Sequence, residues 1–222
     1  MKTFFTTYFK TDKLNLFILL SYIPLKNQQK IRLEETYIFK NEREVLDYVR
    51  SKKLKLVNSK EDKNIEELKN LINDYFKKKN INLFEGIKIL NIELDLKNKF
   101  KTDFSQRVVQ YLLKTKPGEV TTYSEIGDKI GSKGYRAVGN ILRNNPLPLI
   151  IPCHRVIRKS GDIGGFGGST GETWETNLKK NLLELEDSVN NHMDPFYIQR
   201  ILTKTILHLR DISTSTDKLL QQ

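Results

Sequence analysis

The sequence predicts an α/β chain in two parts. An N-terminal α+β domain covers residues 1–100, a mostly helical domain with a helix-turn-helix covers 101–187, and a C-terminal extension, one helix plus a frayed end, covers 188–222. Two observations predict this. Early segments rich in β-branched and aromatic residues alternate with segments of helical spacing. From Thr102 onward the apolar period is helical throughout, punctuated by Pro and Gly.

Taken in order, "FFTTYF" and "LNLFILLSYI" read as strands. Asn41 and Asn64 each precede a glutamate by three residues and mark helix starts for "EREVLDYV" and "IEELKNLINDYF". The stretch "KKLKLVNSKEDKN" is expected to be exposed, and "GIKILNIELDL" alternates like a strand. Nothing in this domain carries recognisable chemistry, so it is expected to be a scaffold. In the second part, Phe104, Val108, Tyr111 and Leu112 form one apolar stripe that ends at the Pro-Gly turn of "PGEV". Thr122 can cap a helix over Tyr123–Ile130 that Gly131 ends, and a second helix over Tyr135–Arg143 stops before Pro146. Such a pair fits a helix-turn-helix, although two ordinary packed helices would show the same pattern. After Glu186, "PFYIQRILTKTILHLR" is amphipathic and predicts one further helix.

Composition bounds the function. The longest early apolar run, Leu14–Leu20, is too short to span a bilayer and lacks the flanks of a signal peptide. A soluble intracellular protein is expected, nuclear in a eukaryote and cytoplasmic in a prokaryote. One cysteine excludes an internal disulfide, and three histidines at unsuitable spacings argue against metal. Net charge is +11, and between Lys129 and Gly161 there are seven basic residues and no acidic one. That one-signed segment surrounds the single cysteine, Cys153, and suits a polyanionic partner.

A lone cysteine in an apolar stretch is usually a small hydrophobe. Here Pro152 restrains the backbone on its approach to Cys153. His154, Arg155 and Arg158 add positive charge able to stabilise a thiolate. The stretch "SGDIGGFGG" then offers a small-residue wall where a planar ring could meet backbone N–H groups. Together these features describe an activated nucleophile beside a polyanion.

"IPCHRVI", preceded by "GEVTTYSEI" and "RAVGNILRNNPLPL", resembles the active-site signature of the O6-alkylguanine-DNA alkyltransferases over Phe104–Glu186. The resemblance implies a ribonuclease H-like N-terminal domain and direct-reversal DNA repair without a cofactor. The partner would be double-stranded DNA bearing O6-alkylguanine, and the protein a monomer. Carried over by position, Cys153 is the nucleophile and permanent alkyl acceptor, His154 draws its proton through a water, and Glu186 orients the imidazole. Glu186 is preferred to Glu184 because "KKNLLELE" then matches the family's spacing from Lys179. Tyr123 would donate to the guanine ring, Arg136 would fill the gap left by the flipped base, and Asn145 would tie the helix pair to the cysteine loop. Ser105, Ser124, Ser132, Arg143 and Lys159 fall where phosphate contacts are expected, and Val156, Phe166 and Gly167 where the lesion is bound. O4-alkylthymine is a further substrate the resemblance allows.

Departures accompany the match. Phe166 and Gly167 stand where many members carry tyrosine and serine, so Gly167 is expected to widen the pocket for alkyl groups beyond methyl. Tyr135 replaces a small residue, and the loop between Gly168 and Lys179 is long. Three alternatives remain open to the residues themselves: a non-catalytic lesion-binding module, a helix-turn-helix regulator with a structural cysteine, and a cysteine hydrolase.

Overall fold

The computed structural model describes residues 4–25, 30–59, 62–77 and 80–190. Strands β1 (Phe5–Lys10), β2 (Phe17–Pro24) and β3 (Ile31–Phe39) form an antiparallel meander. A two-residue β4 (Glu93–Leu94) adds in parallel to β3, giving the order β1-β2-β3-β4. Strand β2 is covered on both faces. Ile18, Leu20 and Tyr22 point into the main core, while Leu19 points the other way, onto Val45 and Val49 of helix α1 (Glu42–Ser51). That two-sided burial explains why its sequence is a nearly unbroken apolar run.

Asn41 caps α1 as expected, its side chain accepting from Glu44 N. Helix α2 (Lys63–Phe76) starts at Asp62 rather than at Asn64, because the Asp62 carboxylate reaches the free N–H groups of Asn64 and Ile65. The expected strand over "GIKILNIELDL" is corrected. Its first half belongs to helix α3 (Leu83–Ile89), capped by Asn82, and only Glu93–Leu94 is extended. Leu83 and Ile87 are buried one helical turn apart, whereas Ile89, which completed the apparent alternation, faces solvent. Strand β3 was not foreseen, since Arg32, Glu34 and Glu35 break its apolar alternation. Glu34 is nonetheless mostly buried, held by Arg32 at 2.7 Å and Lys99 at 2.8 Å. The expected exposed stretch after α1 is exposed in part: Leu56 is on the surface but Ser59 is buried against Thr7.

A short helix α4 (Leu96–Lys99) leads to α5 (Asp103–Leu113), capped by Thr102, with Val108 and Leu112 in the core. Strand β5 (Thr121–Thr122), which was not expected, precedes helices α6 (Tyr123–Lys129) and α7 (Tyr135–Arg143), both within one residue of their expected bounds. A 3-10 turn, Cys153–Arg155, runs into β6 (Val156–Ile157), and helix α8 (Trp174–Asn190) closes the described chain. Helix α8 runs to Asn190, and the segment of the expected extension helix lies outside the described residues.

The two parts share one apolar core that runs from Ile18 and Phe76 to Leu147, Cys153 and Leu182. Strand β3 also grips the cysteine loop: Thr36 N donates to the Pro146 carbonyl and Thr36 Oγ1 to the Pro148 carbonyl, both at 3.0 Å. Among the described residues no helix is long and apolar enough to cross a membrane.

Candidate active site

The parallel pairing of β5 with β6 sets Thr121 beside Val156 and Thr122 beside Ile157. It thereby joins the start of α6, where Tyr123 sits, to the strand leaving the cysteine turn. The Thr122 hydroxyl accepts from Glu125 N while the Glu125 carboxylate accepts from Thr122 N, so this junction is locked by a capping box.

Cys153 is 8% exposed and forms the shared wall of two cavities. The smaller, about 330 Å³, is lined by Tyr123, Gly139, Arg158 and the glycine-rich loop 165–168. The larger, about 760 Å³, lies between the cysteine loop and the N-terminal sheet, with Tyr37, Tyr48, Pro148, Phe166 and Trp174 among its walls. Gly167 and Gly168 both adopt positive φ, and a side chain at 168 would meet the Arg143 side chain at 3.2 Å. The positive φ at both positions favours glycine.

Asn145 organises the loop. Its Nδ2 donates to the Ile151 carbonyl at 2.9 Å and to Cys153 Sγ at 3.1 Å, and its Oδ1 accepts from Leu147 N. Burial pushes the Cys153 thiol up, opposed by the Asn145 donor and the charge of Lys179.

His154 is fully buried. Its Nε2 lies 3.0 Å from Glu186 Oε1, and its Nδ1 has no protein hydrogen-bond partner among the described residues. The first contact fixes the tautomer: a carboxylate only accepts, so Nε2 carries the proton and Nδ1 presents its lone pair. Burial holds the imidazolium below its ordinary range despite the nearby carboxylate. Glu186 itself is 2% exposed and accepts from Arg155 Nε at 2.9 Å, Arg155 Nη2 at 2.7 Å, Tyr75 Oη at 2.8 Å and Gly118 N at 3.3 Å. Burial alone would raise its carboxyl, but His154 and Arg155 hold it well below the usual carboxylate range. Glu184, two residues earlier on the exposed side of α8, lies 3.9 Å from Lys180 at the surface.

One expectation is corrected here. Arg155 does not supply free positive charge to the thiol, because its guanidinium is buried in a bidentate pair with Glu186 and its Nη1 donates to the Thr115 carbonyl at 2.6 Å. The cation that acts on the sulfur is Lys179. Its Nζ donates to the carbonyls of Val156, Ile163 and Gly165, and burial brings its pKa down to about 8.

The remaining residues fall into distinct places. Arg136 and Arg143 are exposed at the two ends of α7, and Lys159 is exposed after β6. Ser124 and Ser132 are partly exposed around α6, whereas Val156 is buried. Ser105 is buried and its hydroxyl completes the Thr102 cap, so the start of α5 accounts for it. Tyr135 folds back over Gly127 and donates to Asp128 at 2.8 Å. Sequence reasoning missed Tyr75, Gly118 and the inward turn of Arg155. Only Arg155 left a signal, its place directly after the Cys-His pair.

Residues 103–188 match the family model described as 6-O-methylguanine DNA methyltransferase, DNA binding domain. The methylated-DNA–protein-cysteine methyltransferase of Mycobacterium tuberculosis is 48% identical over 99 residues, 44% of this chain and 54% of that protein. The chain thus spans about half the length of that relative. The protein of the same description from Saccharolobus islandicus is 38% identical over 129 residues, 58% of this chain and 74% of that one. Among solved structures, the O6-methylguanine-DNA methyltransferase of Pyrococcus kodakaraensis superposes with a TM-score of 0.57 at 20% identity, covering 82% of this chain and 98% of that one. The M. tuberculosis protein in complex with DNA gives 0.54 at 25% identity, over 83% and 94%. With three quarters of an archaeal member matched at such identity, and a histidine-backed cysteine at the centre of the matching segment, this chain belongs to the methylated-DNA–protein-cysteine methyltransferase family.

Proposed function

We propose that the protein repairs DNA by direct reversal, moving the alkyl group from O6 of guanine in duplex DNA to Cys153 once per chain. The observation that carries this reading is the position of Cys153. Its sulfur borders a base-sized cavity while the neighbouring imidazole keeps on Nδ1 a lone pair without a partner among the described residues. In the proposed reaction the thiol proton passes through a water to His154, and Glu186 compensates the imidazolium. The Sγ–C bond forms as the C–O6 bond breaks, and the bond's electron pair passes into the guanine ring. Tyr123 donates to that ring as charge develops; burial and the nearby sulfur raise its phenol, which keeps it protonated. The resulting thioether has no second nucleophile to cleave it, so turnover stops at one.

The base reaches the cavity by flipping, at a cost of a few kcal/mol. Helices α6 and α7 act as the helix-turn-helix, with Arg136 at the start of α7 filling the gap in the stack. Arg143, Lys159, Ser124 and Ser132 contact phosphates along the same basic face, and Val156, Phe166 and Gly167 bound the lesion. The N-terminal meander with its added parallel strand supports a ribonuclease H-like scaffold domain over 1–100, beside the DNA-binding and catalytic domain over 101–187. The larger cavity opening on the same sulfur supports acceptance of alkyl groups beyond methyl.

Mass spectrometry tests the reading. Mixed with a duplex bearing O6-methylguanine, the peptide holding Cys153 should gain one methyl, and Cys153→Ala should bind the duplex but gain nothing. Repair by Cys153→Ala would refute the assignment of the nucleophile.

A further inference from the structure

The relay does not end within the C-terminal part. Tyr75, on α2 in the N-terminal part, is wholly buried, and its hydroxyl donates to Glu186 Oε1 at 2.8 Å. That oxygen is the one that receives His154 Nε2, and the Tyr75 oxygen lies 3.5 Å from Nε2 itself. A buried tyrosine always needs a partner for its hydroxyl, and any backbone carbonyl would serve. This one instead shares the charge of a single carboxylate oxygen with the imidazole.

Building on the alkyl-transfer reading above, we propose that Tyr75 is a positioning residue of the Cys153 relay, fixing and partly neutralising the Glu186 oxygen that holds His154. Three consequences follow from the geometry. The carboxylate is pinned from the N-terminal side by Tyr75 and from the other by Arg155, so it cannot rotate away from Nε2. Its basicity is moderated, because each donor draws charge from the lone pair facing the ring. The N-terminal part also becomes part of the reaction machinery as well as a scaffold, which agrees with its second grip on the cysteine loop through Thr36.

The charged and titratable groups around the Tyr75 hydroxyl are Glu186 from α8 and His154 and Arg155 from the cysteine turn, with Lys179 acting on the same imidazole and Cys153 in turn on Lys179. The inactive form in acid is protonated His154 beside a protonated thiol. Removing the Tyr75 donor leaves Glu186 a better partner for imidazolium, which stabilises that inactive form. In Tyr75→Phe the acid limb of the transfer rate should therefore move up by about one pH unit. The rate should be about tenfold lower on the acid side and converge with wild type at alkaline pH.

The experiment uses the full chain and follows two reactions of its single cysteine against pH: methyl transfer from an O6-methylguanine duplex, and alkylation by iodoacetamide. Tyr8→Phe serves as control, since it removes an equally short tyrosine–carboxylate bond to Glu42 on the surface and should leave both limbs in place. Replacing Tyr75 by 3-fluorotyrosine, a stronger donor of nearly the same size, should shift the limbs downward without opening a cavity. An unmoved limb overturns the proposal, whether the rate is unchanged or falls equally at every pH, the latter being the mark of a merely structural tyrosine. Failure of the wild type to accept methyl sinks the repair reading alone, because the iodoacetamide limb still reports on Tyr75.

Discussion

At the residue scale the centre of gravity is Glu186, whose two oxygens accept from Tyr75, His154, Arg155 and Gly118. Such a carboxylate is difficult to replace. Glu186→Gln keeps the size but leaves the Arg155 guanidinium buried without a counter-charge, so at pH 7 unfolding should become easier by about 3–5 kcal/mol. The pH dependence follows from the lowered carboxyl of Glu186. A depressed pKa contributes stability above the carboxylate's ordinary value near 4.5, and that contribution is lost as pH falls towards the folded value. Chemical denaturation should therefore show a gap between wild type and Glu186→Gln that is full at neutral pH and narrows below about pH 4.5. A gap independent of pH would mean the charge is irrelevant. The same variant should slow transfer by about two orders of magnitude or more, since a glutamine cannot compensate imidazolium. The residues that form this knot were unequally legible. Cys153 and His154 stood out by adjacency and Glu186 only through the family resemblance, but Tyr75 is far from all of them in sequence, and no local pattern distinguishes a tyrosine bound for a relay from one bound for a core.

At the scale of elements, α6 and α7 show how far local rules reach. Thr122 followed by Glu125, Gly131 at φ 70°, and Pro146 after Arg143 mark starts and stops that depend only on neighbours, so these bounds could be read directly. The close approach of the two helices could not. A Cβ on Gly127 would lie 2.7 Å from the Ser132 carbonyl oxygen and 2.6 Å from the Tyr135 ring. Gly127→Ala should cost about 1–3 kcal/mol through this overpacking and weaken duplex binding, as read by thermal melting and by anisotropy on the same sample. Undiminished stability would show that the turn relaxes freely. The failed strand over "GIKILNIELDL" belongs to the same scale. Short apolar runs satisfy both periods, and the contact of Leu71 on Gly86, a tertiary fact, accompanies the helix.

For the molecule as a whole, the acid-free segment from Lys129 to Gly161 contributes Arg136, Arg143, Arg158 and Lys159 to the exposed surface while burying Arg155. Binding to duplex DNA should fall steeply with salt, as expected when phosphate contacts release counterions. Arg143→Ala should weaken binding to damaged and undamaged duplex alike and reduce the log–log salt slope by about 1. A loss confined to the lesion-bearing duplex would make Arg143 a lesion contact instead.

The sequence by itself determined where helices begin and end around the cysteine, that one thiol stands beside one imidazole, and that the surrounding charge has a single sign. These are properties of neighbours along the chain, where capping, backbone restraint and charge counting operate. Tertiary structure alone decided which charges remain free. It buried Arg155 against Glu186, brought Lys179 to the sulfur, and carried Tyr75 into the relay, because desolvation and Coulomb interaction depend on distances in space that the order of residues does not contain.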